Sequence, residues 1–306
     1  MRYVIPWLGL GGLLLAAGCT NTRLGFIGRT DNPPPPVSGQ TPTVAALVKY
    51  MDDNAQHVRS LRCDDVDLGV SHGIVTLANL PTTLACQQPR NFRMSAKLAG
   101  NDEVDLGSND QEFWFWIRKM DPHQFFCPYQ VLDEKRPVRL PFPFQPSWVM
   151  ETLGMGSYGP PERYQLVVEG NREPTRYKLI EHTQGPQGNK VRKVIVFNAR
   201  DQSRSPGSPQ ITDFLLLDDA TGKELCSARI LEVYREGPGV VVPKRLQLHW
   251  PEEKITLTLR LSRPVINAQL PGPLFVRRPL AGQPSINLAT GRPEGQPSGL
   301  QRVGMR

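Results

Sequence analysis

Ile255-Thr256-Leu257-Thr258-Leu259-Arg260-Leu261 alternates apolar and polar side chains without a slip. The same period of two runs through Leu246-Gln247-Leu248-His249-Trp250 just before it and through Phe92-Arg93-Met94-Ser95-Ala96-Lys97-Leu98 far upstream. Successive side chains of a strand point to opposite faces, so each run reads as a strand with one buried and one wet face, an arrangement that belongs to antiparallel sheets. Further strand-like runs lie at 74–77, 164–168, 177–182, 191–197, 211–217 and 227–235, separated by turn-rich pieces such as Asn101-Asp102, 185–189 and 218–222. About nine to eleven strands in meander order, with few helical segments between them, predict one large antiparallel sheet that curls, a mainly β (α+β) fold and not a βαβ one.

Upstream of these strands, Thr43 is placed to cap a helix in which Val44, Leu47, Val48, Met51, Ala55 and Val58 recur near three-and-four spacing. That spacing predicts an amphipathic helix ending near residues 59–61. A second short helix is expected over 146–153, where Ser147, Trp148, Met150 and Leu153 follow a proline-rich turn. Residues 271–306 return to Pro, Gly, Gln and Arg with little apolar content and read as a disordered tail, which sets the folded domain at 43–270.

The amino terminus carries a different signal. Met1-Arg2 leads into an apolar run that ends in Leu15-Ala16-Ala17-Gly18-Cys19. The run is shorter than the roughly 20 apolar residues that span a bilayer, so residues 1–18 read as a removable export signal. Small residues before a thiol resemble the bacterial lipobox, in which the sulfur is acylated, and Cys19 is the expected lipid attachment site. Thr20 stands where an aspartate would retain the protein at the inner membrane. The expected location is therefore the cell envelope, anchored by lipid in the outer membrane and facing the periplasm. Residues 19–42 hold Pro33-Pro34-Pro35-Pro36 and form the anchor and a semi-extended tether.

Composition narrows the function. The 306 residues carry a formal charge of +7, but Lys and Arg are scattered without a basic run, and nucleic acid is a poor partner for an exported chain. Cys63, Cys86, Cys127 and Cys226 form an even set that allows three disulfide pairings in an oxidising compartment, or four buried free thiols. They lack a Cys-x-x-Cys and a histidine at a zinc-site interval, so no metal is expected. His57, His72, His123, His182 and His249 lie singly in different segments. Met155-Gly156-Ser157-Tyr158-Gly159 lacks the first glycine of a nucleophile elbow. The close carboxylates Asp64-Asp65-x-Asp67 and Asp218-Asp219 suit strand-end turns, and Gly185 to Lys190 lacks phosphate-loop spacing. No catalytic residue and no cofactor is expected, and the chain does not read as an enzyme.

One stretch breaks the alternation. Glu112-Phe113-Trp114-Phe115-Trp116-Ile117-Arg118 places large apolar groups on both faces of one strand, so both faces must be covered, by core or by a ligand. Around it the chain resembles the periplasmic lipoprotein carrier and outer-membrane receptor family of LolA and LolB. An amphipathic helix leads into strands, and Gln88-Pro89-Arg90-Asn91-Phe92-Arg93-Met94 resembles the carrier's Pro-x-x-Phe-x-Trp strand. Asp105-Leu106-Gly107-Ser108-Asn109-Asp110 resembles its turn before a tryptophan strand, and 113–117 with Asp121-Pro122 resembles that strand and its exit. The resemblance covers the front third of the chain.

What the resemblance implies is an incompletely closed half-barrel of eleven strands whose concave side, under a short helical lid, holds acyl chains of lipoproteins. Phe92, Met94, Trp114, Trp116, Trp148, Met150 and Met155 are then the expected lining; with the opposite strand parity, Phe113 and Phe115 take that place. Gln88 departs from the family, whose carrier has an arginine before that proline. With its own lipid anchor, the chain looks more like a fixed receptor than a shuttle. The alternative reading is a binding or scaffolding lipoprotein that holds an envelope polymer or protein partner without lipid cargo.

Overall fold

The hydroxyl of Thr43 accepts a hydrogen bond from the Ala46 amide at 3.2 Å and starts helix α1, Val44–His57, where the sequence places it. Leu47, Val48, Met51 and Ala55 form its buried stripe. The computed structural model describes residues 41–118, 123–134, 136, 138, 140, 144–185, 188–237, 239–280 and 284–294. The expected export signal at 1–18, Cys19 and nearly all of the expected tether at 19–42 lie outside the described residues.

Thirteen strands make up the body of the sheet: β1 Ser60–His72, β2 Val75–Gln87, β3 Asn91–Leu98, β4 Asn101–Ser108, β5 Glu112–Ile117, β6 Gln124–Pro128, β7 Tyr164–Glu169, β8 Arg176–Gln184, β9 Lys190–Asn198, β10 Ile211–Asp218, β11 Glu224–Glu236, β12 Val240–Trp250 and β13 Ile255–Ser262. Three short ones follow, β14 Val265–Ile266, β15 Ser285–Asn287 and β16 Arg292–Pro293. β1 to β6 meander one way and β13 back to β7 the other, and the halves join where β1 pairs β13 with Leu68 opposite Leu259. The result is an open, curved sheet with few helices, the curling sheet that the alternating strands predict and the half-barrel class that the resemblance implies. Its strand count exceeds the expected eleven, because β4 and β6 lack clean alternation and the last strands lie in the supposed tail.

Helix α2, Tyr129–Asp133, follows β6, and helix α3, Pro146–Met150, runs into a π-helical turn at Glu151–Met155 that ends with Gly154 at φ +83°. α3 and this turn occupy the position expected for the second helix; α2 has no amphipathic signal in five residues. α1, α3 and the π turn pack with Val138, Leu140 and Phe144 against one face of the sheet, and together they form a single hydrophobic core. Among the described residues, no helix is long and apolar enough to cross a membrane.

Three expectations need correction. Asp105 to Ser108 is not a turn: it belongs to β4, and the turn follows, where Asn109 accepts from the amides of Gln111 and Glu112. Asp64 and Asp65 sit at a bulge inside β1, where the register with β2 shifts between Cys63 and Val66, rather than at a strand end. The supposed disordered tail crosses the outer face of β3 to β6 as far as Glu294. Phe275 is buried there, and β15 pairs β6 in parallel, with Ile286 opposite Phe125. Low hydrophobicity hid this strap, since backbone pairing with β6 and the Arg277–Glu112 ion pair hold it alongside Phe275.

Candidate functional site

The curved sheet presents an inner face to the helices and an outer face to the strap, and strand parity decides which candidate residues share a surface. Phe92, Met94, Trp148, Met150 and Met155 all lie in the inner core, brought together from β3, α3 and the π turn. In β5 it is Phe113, Phe115 and Ile117 that point inward; Phe115 stacks on Phe125 and meets Phe144 edge-on. Trp148 meets Trp250 edge-on at 6.0 Å. Trp114 and Trp116 therefore do not join the other expected lining residues.

Both tryptophans are buried on the outer face. The Trp114 indole lies over its cross-strand partner Gly107, where an added Cβ would come within 2.1 Å of the ring. Its N–H donates to Asp105 at 3.3 Å, and Asp105 pairs with Arg93 at 3.0 Å, both side chains nearly buried. Burial pushes the Asp105 carboxyl upward while Arg93 pulls it back. The strap closes over this layer. Its Val276 carbonyl accepts from Arg93, its Arg278 carbonyl accepts from Gln124, and Arg277 bridges Glu112 and Glu294 while covering the Phe126 ring at 4.0 Å.

Among the described residues, the inner face is packed with the chain's own side chains, and two recesses open beside the π turn. The first is an open recess with a polar and an apolar wall. Its polar wall holds Glu151, Ser157, Tyr158, Arg163, Glu181 and Lys193, and its apolar wall includes Trp148, Ile195 and Phe214. Lys193 pairs with Glu151 at 3.1 Å, and Arg163 pairs with Glu181. Burial raises the Glu151 carboxyl against the pull of Lys193 and raises Tyr158 further; burial and then Glu181 push the Tyr164 hydroxyl up to about 12. The second is largely apolar and lies between α1, the π turn and β10 to β12, with Tyr50, Met51, Ile211, Phe214, Ile230 and Val233 among its walls. Asn54 crosses one side of it, donating to the carbonyls of Gly154 and Val241 and accepting from the Val241 amide.

Of the predicted lining, only Trp148 borders a recess. Phe214, Ile230, Tyr158, Arg163 and Lys193 were missed. Lys193, Phe214 and Ile230 lie in strands that alternate like any other, Tyr158 and Arg163 lie outside the strands, and nothing in the period tells which turn of chain lies opposite. Gln88 donates to the carbonyls of Ala55 and Val58 and ties the end of α1 to the β2–β3 turn.

Cys63, Cys86, Cys127 and Cys226 are free, buried thiols, and burial raises Cys127 to about 11. Among the described residues no three potential ligands gather for a metal. Ser157 is exposed at the recess mouth, His182 pairs with Asp219 at 3.2 Å, and His249 contacts the Thr256 hydroxyl at 3.0 Å.

No protein-family model matches the chain, and no curated protein does. Solved structures similar to it include a LolA superfamily protein from Nitrosomonas europaea, with 10% identity over 75% of this chain and 96% of that one, at a TM-score of 0.44. A DUF1329 family protein from Desulfovibrio piger matches at 10% identity over 76% of this chain and 95% of that one, TM-score 0.46. A putative outer membrane lipoprotein-sorting protein domain from Vibrio parahaemolyticus matches at 8% identity over 74% and 95%, TM-score 0.45.

Proposed function

We propose that this chain is a non-catalytic envelope lipoprotein, acylated at Cys19, that binds acyl chains or the lipid moieties of lipoproteins between the inner face of its half-barrel and the helical lid, in sorting them to the outer membrane. One observation carries the reading: an inner face apolar from β1 to β13 is covered by short helical pieces instead of a second sheet. Lifting α3 and the π turn would expose Trp148, Met150 and Met155, and with them the part of the inner core under the lid, Trp250 included, to a ligand. Covering such surface with alkyl chain is favourable by about 25 cal/mol per Å². Methionine and tryptophan suit a ligand without fixed shape, because a flexible thioether and a broad ring tolerate imperfect fit.

The test is native mass spectrometry of the full chain carrying Cys19→Ser, exported and purified without detergent. Co-purified acyl species support the reading; a protein that stays free of lipid after incubation with fatty acid and with diacyl lipid overturns it. A second reading, a tethered binding or scaffolding protein for an envelope polymer or protein partner, is favoured by the tight filling of the inner face, where Phe92 and Phe144 are fully buried. It is the reading left standing by that negative result.

A further inference from the structure

The two recesses share Glu151, Tyr158 and Phe214, so they are neighbours, one polar and one apolar. Together they have the layout of an amphiphile site, a polar recess beside an apolar one. The apolar recess, walled by Met51, Ile211, Ile230 and Val233, is suited to an alkyl chain and offers it few hydrogen-bonding groups.

The polar recess is asymmetric in its chemistry. Its two carboxylates lie deep, Glu181 with 7% and Glu151 with 16% of the side chain exposed, and each already accepts from a cation. Its two cations lie outward, Arg163 with 54% and Lys193 with 34% exposed. A guanidinium has five N–H donors and an ammonium three, and neither can accept. Ser157 adds an exposed hydroxyl at the rim. The acceptors are thus engaged below while donors remain at the mouth, which is complementary to an anion.

We propose that these recesses form one site for a single-chain anionic amphiphile, its carboxylate or phosphate held by Arg163 and Lys193 and its alkyl chain passing Tyr158 and Phe214 into the apolar recess beneath α1. The proposal rests on the acyl-binding reading and assigns its headgroup end. It adds to the inner face a headgroup end formed by the chain after the π turn and by β9, next to Trp148.

The experiment is calorimetric titration of the full chain carrying Cys19→Ser, stripped of lipid, with oleate, with oleyl alcohol and with inorganic phosphate. Oleate is expected to bind at least about tenfold more tightly than the alcohol, the difference made by hydrogen bonds to a charged group. Phosphate alone should bind far more weakly than oleate. The paired variants Arg163→Gln/Glu181→Gln and Lys193→Gln/Glu151→Gln remove each cation together with its buried partner, leaving no orphaned carboxylate. Each should cost oleate about tenfold and leave the alcohol within about twofold.

Equal binding of oleate and alcohol, or oleate binding unchanged in both variants, overturns the headgroup assignment and leaves acyl binding intact. Phosphate binding as tight as oleate overturns the amphiphile in favour of a free-anion site. Binding of neither chain, with the circular dichroism of the parent retained, overturns the acyl reading and this proposal with it. Should a variant lose its fold, Phe214→Trp provides the second readout: its fluorescence should shift on adding oleate, and an unchanged spectrum at saturating oleate counts against the site.

Discussion

Arg93 and Asp105 meet at 3.0 Å beneath the strap, with the Trp114 indole and the Gln124 amide completing the coordination of the carboxylate. Removing one member of such a buried pair leaves an uncompensated charge, so Arg93→Met should destabilise the fold by about 3–5 kcal/mol, measured by urea unfolding. Glu151 behaves differently, because its partner Lys193 reaches solvent while the carboxyl itself is buried and raised. A carboxyl whose folded pKa lies above the unfolded one takes up a proton on folding. Its contribution to stability therefore falls as pH rises from the unfolded value through the raised one, and mild acidification restores it. Glu151→Gln should accordingly melt no lower than the parent near neutral pH, and its melting temperature should rise less between neutral and mildly acid pH. A marked loss of stability at neutral pH would mean that the pair with Lys193 outweighs the cost of burial.

At the level of elements, the lid is fastened to the rest of the protein by polar contacts at few points. Asn54 of α1 satisfies the Gly154 carbonyl of the π turn and both the amide and the carbonyl of Val241 at the start of β12, so one side chain links helix, lid and sheet. Asn54→Ala should cost about 1 kcal/mol, since the half-buried Val241 amide loses its partner. If the lid opens as a unit, amide exchange should accelerate over 146–156 before it does in β12 or β13, whereas uniform acceleration across the sheet would indicate that the lid does not move separately. β5 shows why element identity and element orientation are separate problems. Its aromatic run predicts a strand covered on both faces, and it is one. Which aromatics face the helices follows from the register of β4, where Leu106 opposite Phe115 joins the core and Gly107 opposite Trp114 makes room for an indole on the other side.

Over the whole molecule, an open sheet leaves two edges, and the chain treats them unequally. β6 is paired by β15 and its outer face is covered by residues 271–294, while β7 forms the other end. Truncation after Leu270 would expose the β6 edge together with Trp114 and Phe126, so the shortened chain is expected to melt at lower temperature and to self-associate in analytical ultracentrifugation. A truncated chain as stable and monomeric as the parent would show that the strap is dispensable. The sequence alone determined the class of this fold: period-two runs such as 255–261 and 92–98 leave a strand no choice of which alternate residues to bury, and Thr43 with its three-and-four stripe fixes α1. Local periodicity acts between neighbours in the chain and carries no information about what lies across a gap. Only tertiary structure decided that Trp114 and Trp116 face the strap, that a polar, proline-rich segment is pinned by Arg277 and β15, and that Arg163, Lys193 and Phe214 share one recess. Each of those outcomes depends on contacts between residues far apart in sequence, whose partners become defined only when the sheet curls and its two halves meet at β1 and β13.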